Sequence, residues 1–197
     1  MQIALRLTAL LVALCLAACS SIPVAGPAAR PGTGPGFDYL TDDVAGLLLA
    51  LDLPPLLEPG KAGTRVAFTI TARGGEVRTV GARLVPSDAG ELAATLPPPA
   101  DQRNYYLFGF AEADRALIRD AQAWARTQPA GTASVAVALE PDLCRTGPLD
   151  PASVTVSVLL ASPSGEKLPP LLRDAPLATL LAAASLPPVP PCPGHSG

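Results

Sequence analysis

The sequence predicts an α+β domain: about five antiparallel or mixed strands in one sheet, with three to four helices packed on it. Three observations carry this. Five stretches alternate apolar and polar residues with the period of two that half-buries a strand. Other stretches repeat apolar residues at helical spacing. No regular strand–helix–strand series appears, which argues against a doubly wound parallel sheet. A β-sandwich with helical insertions is the alternative.

Residues 1–18 (MQIALRLTALLVALCLAA) carry one charge, Arg6, and an apolar run from Leu7 to Leu16 broken by Thr8 and Cys15. About 10 residues is too short to cross a bilayer core, which takes about 20 in a helix. A positive start, a short apolar middle and small residues at the exit form the pattern of a secretory signal peptide. The exit reads Leu16-Ala17-Ala18-Cys19. It resembles the lipobox of bacterial lipoprotein precursors, which has Leu, two small residues and an obligatory Cys. Cys15 is a poorer match, because the bulky Leu14 precedes it.

The resemblance implies cleavage before Cys19, a diacylglycerol on its thiol and, often, an acyl chain on the new amine. Two or three chains anchor firmly where one is marginal. The chain is then expected in the cell envelope, held on a membrane and facing the periplasm. Ser20, in place of Asp, favours the outer membrane over the inner by the sorting tendency of that class. The resemblance covers only the first 20 residues and implies nothing about the folded domain.

Residues 19–37 are rich in small residues, Pro and Gly and read as a flexible linker. Its GTGPG follows no strand, so it is not a phosphate loop. A single domain is expected over 38–186, with a Pro-rich tail over 187–197.

Within that domain, Thr41-Asp42-Asp43 caps a helix whose face is Val44, Leu47, Leu48 and Leu51, stopped by Pro54-Pro55. Residues 64–72 and 76–85 alternate around Gly74-Gly75 and form a hairpin. Residues 87–96 form a short helix between Ser87 and the run Pro97-Pro98-Pro99. Asn104–Phe110 is an aromatic strand. Residues 112–127 form the clearest helix, with Leu117, Ile118, Ala121, Trp124 and Ala125 as its stripe. Strands follow at 132–139 and 154–160. A last helix spans 175–185, with Pro176 early, where proline is tolerated.

The formal charge is −3, and removing residues 1–18 with Arg6 takes it to −4. No basic face is available to neutralise phosphates, so nucleic acid is not an expected partner. Beside Cys15 and Cys19 there are two more cysteines, Cys144 and Cys192. Outside the cytoplasm such a pair most often forms a disulfide. It would fasten the tail PPVPPCPG to the body and stabilise by about 4 kcal/mol at most on the chain-entropy model. The alternatives are two free thiols or an intermolecular bond through Cys192.

No constellation announces a chemistry. The single histidine, His195, sits in a Pro/Gly tail that gives a general base no hold. Cys192 and His195 have ligand-like spacing, but one pair does not make a four-ligand site, so no metal or cofactor is expected. No Gly-x-Ser-x-Gly elbow is present, and Ser162, Ser164 and Lys167 lie in a turn-like SPSGEK. Most acids lie at helix starts and turns, where capping and solvation explain them. Glu140-Pro141-Asp142 follows a strand end, where a site can sit, though a turn is the simpler reading.

Tyr106, Phe108 and Phe110 share one face of the aromatic strand and form the candidate partner patch. The competing reading places both faces in the core. The expectation is a non-enzymatic binding or assembly module with an envelope protein partner. The alternatives are a cell-wall hydrolase using paired carboxylates and a carrier of a small molecule or lipid. Facing acids in a cleft would favour the hydrolase, a dry hollow the carrier, and a solid core the binding module.

Overall fold

The structure, a computed structural model, describes residues 22–23, 37–61, 63–88, 94–100, 102–129 and 131–194. Among these residues it holds ten strands: β1 (Ile22–Pro23), β2 (Leu48–Leu53), β3 (Leu57–Pro59), β4 (Arg65–Ala72), β5 (Val77–Pro86), β6 (Asn104–Phe110), β7 (Ala133–Glu140), β8 (Leu143–Arg145), β9 (Thr155–Ala161) and β10 (Leu172–Pro176). Two α-helices accompany them among the described residues, α1 (Glu112–Arg126) and α2 (Leu177–Ala183), with a 3₁₀ turn at Val44–Gly46.

Seven strands form one sheet in the order β7-β4-β5-β6-β2-β9-β10, with every neighbouring pair antiparallel. The short β1 adds to the outer edge of β7, Ile22 opposite Leu139 and Pro23 opposite Ala138. β3 and β8 pair separately. Leu139 of β7 and Val156, Val158 and Leu172 of β9 and β10 line one common hollow. The two ends of the sheet therefore come round toward each other, and the sheet is a half-barrel.

This corrects the α+β expectation of five strands with three to four helices on one sheet face. The largest departure is at residues 44–53. Instead of a helix they form the 3₁₀ turn and then β2, in which all six residues are buried. Leu49, Leu51 and Leu53 join the main core, while Leu48, Ala50 and Asp52 point to the other side of the sheet. An apolar run without alternation fits a doubly buried strand as well as a helix, and six residues suit a strand. The expected last helix is also shortened, because β10 takes residues 172–176 before α2 begins. The expected helix over 87–96 falls partly outside the described residues; Ser87 and Asp88 are not helical, and residues 94–96 form a turn or bend.

Elsewhere pattern and structure agree closely. The β4–β5 hairpin, β6, β7 and β9 lie within a residue or so of their expected positions. α1 buries Ile118, Ala121, Gln122 and Ala125 against the half-barrel, while Leu117 is 51% exposed. The Gln122 side-chain amide donates to the carbonyls of Tyr39 (2.9 Å) and Asp42 (2.7 Å), which ties residues 39–42 to the helix.

The far face of β2 is held by the β5–β6 connection. Arg103 Nε donates to the Asp52 carboxylate at 2.7 Å, and its Nη2 reaches the carbonyls of Asp52 and Thr155. Both side chains of that ion pair are mostly buried. Such a pair costs desolvation, which the added carbonyl contacts help offset.

Candidate functional site

A wide concave surface forms where β5 and β6 part. They pair only over Leu84–Pro86 and Phe108–Phe110. Pro86 has no amide hydrogen to continue the ladder. The chain leaves at Ser87, whose N–H donates to the Leu107 carbonyl at 3.0 Å. The opposite wall is the loop between β3 and β4, and Asp142 organises it. The Asp142 carbonyl accepts the Gly60 N–H at 2.7 Å, and its carboxylate accepts the Gly63 N–H at 2.9 Å. A β-carbon on Gly60 would run into that carboxylate, and Gly63 has φ +91°, so both positions call for glycine.

The resulting groove has a volume of about 730 Å³. Tyr105 and Tyr106 line it, with Glu58, Lys61 and Arg83 supplying charges of both signs. Burial pushes the Tyr106 phenol above its ordinary pKa, and the Glu58 carboxylate pushes it the same way. Burial also raises Tyr105; Asp52 adds to that shift and Arg103 opposes it. The Tyr105 hydroxyl donates to the Pro97 carbonyl at 2.8 Å. Both phenols therefore stay neutral near pH 7, with polar tips on rigid apolar bodies. That chemistry suits noncovalent recognition, whereas a tyrosine acting as a base needs its pKa lowered.

The proposed patch of Tyr106, Phe108 and Phe110 is not presented as a set. Phe108 and Phe110 are 6% and 1% exposed, and Phe110 packs edge-on against Phe68 with ring centroids 5.8 Å apart. Only Tyr106 of the three is half exposed at the groove. Sequence reasoning missed Tyr105, Glu58, Lys61 and Arg83. Alternation assigned Tyr105 to the opposite strand face, but at an open edge both faces reach the groove.

A second concavity is apolar. It lies between the two edges of the half-barrel, under α2 and residues 186–190, with a volume of about 170 Å³. Leu177, Leu180 and Leu181 of α2 face Leu139, Val156 and Val158 across it, and Leu186 and Val189 complete a wall. The segment forming that wall is fastened to β8. Cys144 and Cys192 are joined in a disulfide, with α-carbons 4.8 Å apart. Arg145 donates its N–H to the Pro190 carbonyl at 2.8 Å and accepts the Cys192 N–H at 2.8 Å. Its guanidinium adds bonds to the carbonyls of Val189 and Gly147. The expected bridge is thus present, and residues 187–192 are part of the domain.

A third depression holds Asp42, Asp43 and Glu166 beside Ser162 and Ser164. Asp42 accepts the Asp38 N–H at 2.7 Å, and Asp43 lies 3.9 Å from Arg119. The two serine hydroxyls bond each other at 2.7 Å, so neither is shown paired with Lys167. Among the described residues, no group of three His, Cys, Asp or Glu side chains is placed to hold a metal, and no helix is long and apolar enough to cross a membrane. Cys19 and His195 lie outside the described residues. Comparison with protein-family models, with curated proteins and with solved structures yields no match, and the geometry of the groove and the hollow therefore carries the functional argument.

Proposed function

We propose that this chain is an envelope lipoprotein, anchored at Cys19 and preferentially sorted to the outer membrane, whose domain is a non-enzymatic module that binds an envelope protein. The groove carries this reading. It is open, walled by two neutral tyrosines, and rimmed by Glu58, Lys61 and Arg83. Tyrosine and arginine are enriched where interfaces concentrate their binding energy. The Cys144–Cys192 disulfide supports an oxidising compartment. The lipobox supports the anchor.

The hollow favours a carrier role only for a short apolar group. Its volume of about 170 Å³ falls below the roughly 300–1,000 Å³ of ordinary small-molecule sites.

A photoreactive amino acid placed at Tyr106, at Lys61 and, as a control, at Thr79 on the exposed outer face of β5 tests the groove in living cells. The expected result is one and the same protein joined at Tyr106 and Lys61 and absent at Thr79, identified by mass spectrometry. Equal capture at all three positions, or no capture at the groove positions, would contradict the assignment.

A further inference from the structure

The apolar hollow and the attachment point of the proposed lipid lie close together. β1 pairs antiparallel with the end of β7, Ile22 opposite Leu139. Leu139 lines the hollow. Because β1 runs against β7, the direction from which the chain enters Ile22 is the one in which β7 leads on to Pro141, Asp142 and Leu143. Those three residues also line the hollow. Cys19 precedes Ile22 by three residues, and three residues of chain reach at most about 10 Å. The long tether expected over 19–37 is therefore interrupted near its start. A lipid on Cys19 would start within about 10 Å of this edge of the half-barrel.

We propose that the hollow between α2, the disulfide-held segment and the two sheet edges takes up one acyl chain of the lipid on Cys19. This rests on the acylation proposed above. The lining has the required chemistry. Every residue in it is apolar except Asp142, whose carboxylate is engaged by the Gly63 N–H on the groove side. The size fits part of a chain. A cavity of about 150 Å³ lined by Leu, Ile and Phe holds benzene, so a hollow of about 170 Å³ accepts a run of roughly six carbons. The remainder of the chain leaves through the open side. An apolar space of this kind is a poor home for water, which needs two to four polar partners.

The occupant is the chain's own lipid because that lipid is tethered. An acyl chain held within about 10 Å competes at an effective concentration that free fatty acids do not reach, in the millimolar range for short linkers. The domain then sits with α2 and the hollow toward the bilayer and the groove elsewhere on the surface.

The test uses the full chain, made in bacteria fed a fatty acid with a diazirine near its methyl end, extracted in detergent and irradiated. Peptides containing Leu139 and residues 177–190 should carry the probe at least tenfold above the peptide of the outer β4–β5 face. Leu181→Trp, which fills the hollow from α2, should reduce that labelling at least fivefold. Leu186→Trp, which fills it from the other wall, should do the same, so the result does not depend on one variant folding. Labelling of detergent alone, or labelling spread evenly over the outer face, would overturn the proposal.

The intact mass before irradiation separates the two readings. A chain without acyl groups overturns the anchor and this proposal together. An acylated chain with no adduct in the hollow overturns this proposal alone. Free probe that labels the hollow of the acylated chain as fully as that of Cys19→Ala assigns the space to an outside fatty acid and likewise overturns it.

Discussion

The groove and the hollow are concavities of one half-barrel made by opposite means. The groove exists because a ladder stops: β5 ends its pairing at Pro86, and Tyr105 and Tyr106 are left at an open edge. The hollow exists because two sheet edges approach and a helix, five further residues and a disulfide close over them. Its walls are core residues, and Leu177 is 2% exposed. At the groove, Tyr105 and Tyr106 are half exposed and Lys61 and Arg83 exposed, over a floor that includes the core residues Leu84 and Phe108. Recognition residues can therefore vary at the groove with little cost to the fold, whereas the hollow's lining is constrained by stability.

Four measurements break or sharpen this contrast. The largest effect belongs to Leu177→Ala. It empties a fully buried site in the hollow's wall and should destabilise by about 2–5 kcal/mol, read by urea denaturation of the soluble domain.

Replacing Cys144 and Cys192 together by Ala opens a loop of 48 residues. The loss should be about 2–4 kcal/mol, and the freed 187–197 segment should become sensitive to limited proteolysis.

Tyr106→Ala removes a half-exposed ring that packs on the edge of the core and should cost about 1 kcal/mol, well below Leu177→Ala, while abolishing partner capture at Lys61. A loss of stability as large as that of Leu177→Ala would erase the distinction between the two sites.

The smallest effect is a pH dependence. The folded pKa of Tyr106 lies above its unfolded value near 10. The fold thus favours the neutral phenol, and that contribution is fully present below pH 10 and is lost as pH rises through the folded value. Tyr106→Phe should therefore lose less stability than the parent between pH 9 and pH 11, measured by denaturation at each pH.

What was legible in the sequence follows the same division. The hairpin, β6, β7 and α1 each have one buried side, so their periodicities show; β9 is buried on both faces from Val156 to Ala161, and there the polar Thr155 and Ser157 keep the alternation visible. In β2 none shows. Leu48, Leu49, Ala50 and Leu51 are buried on both sides, partly beneath a connection pinned by Arg103, and an all-apolar stretch covered on both faces has no alternation to read. β3 and β8 are three residues each, too short for a period. β10 carries an irregularity at Asp174, where φ is +45° and the N–H goes to the Ser157 hydroxyl rather than along the ladder. The curl of the sheet, which creates the hollow, is set by long-range packing and has no local signature.

At the candidate site the outcome is mixed for the same reason. Tyr106 was legible as an aromatic on a strand. Phe108 and Phe110 lie on its face but further along, where they enter the main core and Phe110 packs on Phe68. Glu58, Lys61 and Arg83 reach the groove from segments remote in sequence. The disulfide needed only a count of cysteines and a compartment.

The measurement that tests the central claim most directly is the intact mass of the membrane-extracted protein, with and without reduction, beside Cys19→Ala. The account predicts a chain that begins at Cys19 with a diacylglycerol, gains the mass of two hydrogen atoms on reduction, and becomes soluble when Cys19 is replaced. An unacylated chain, equally soluble with and without Cys19, would contradict it.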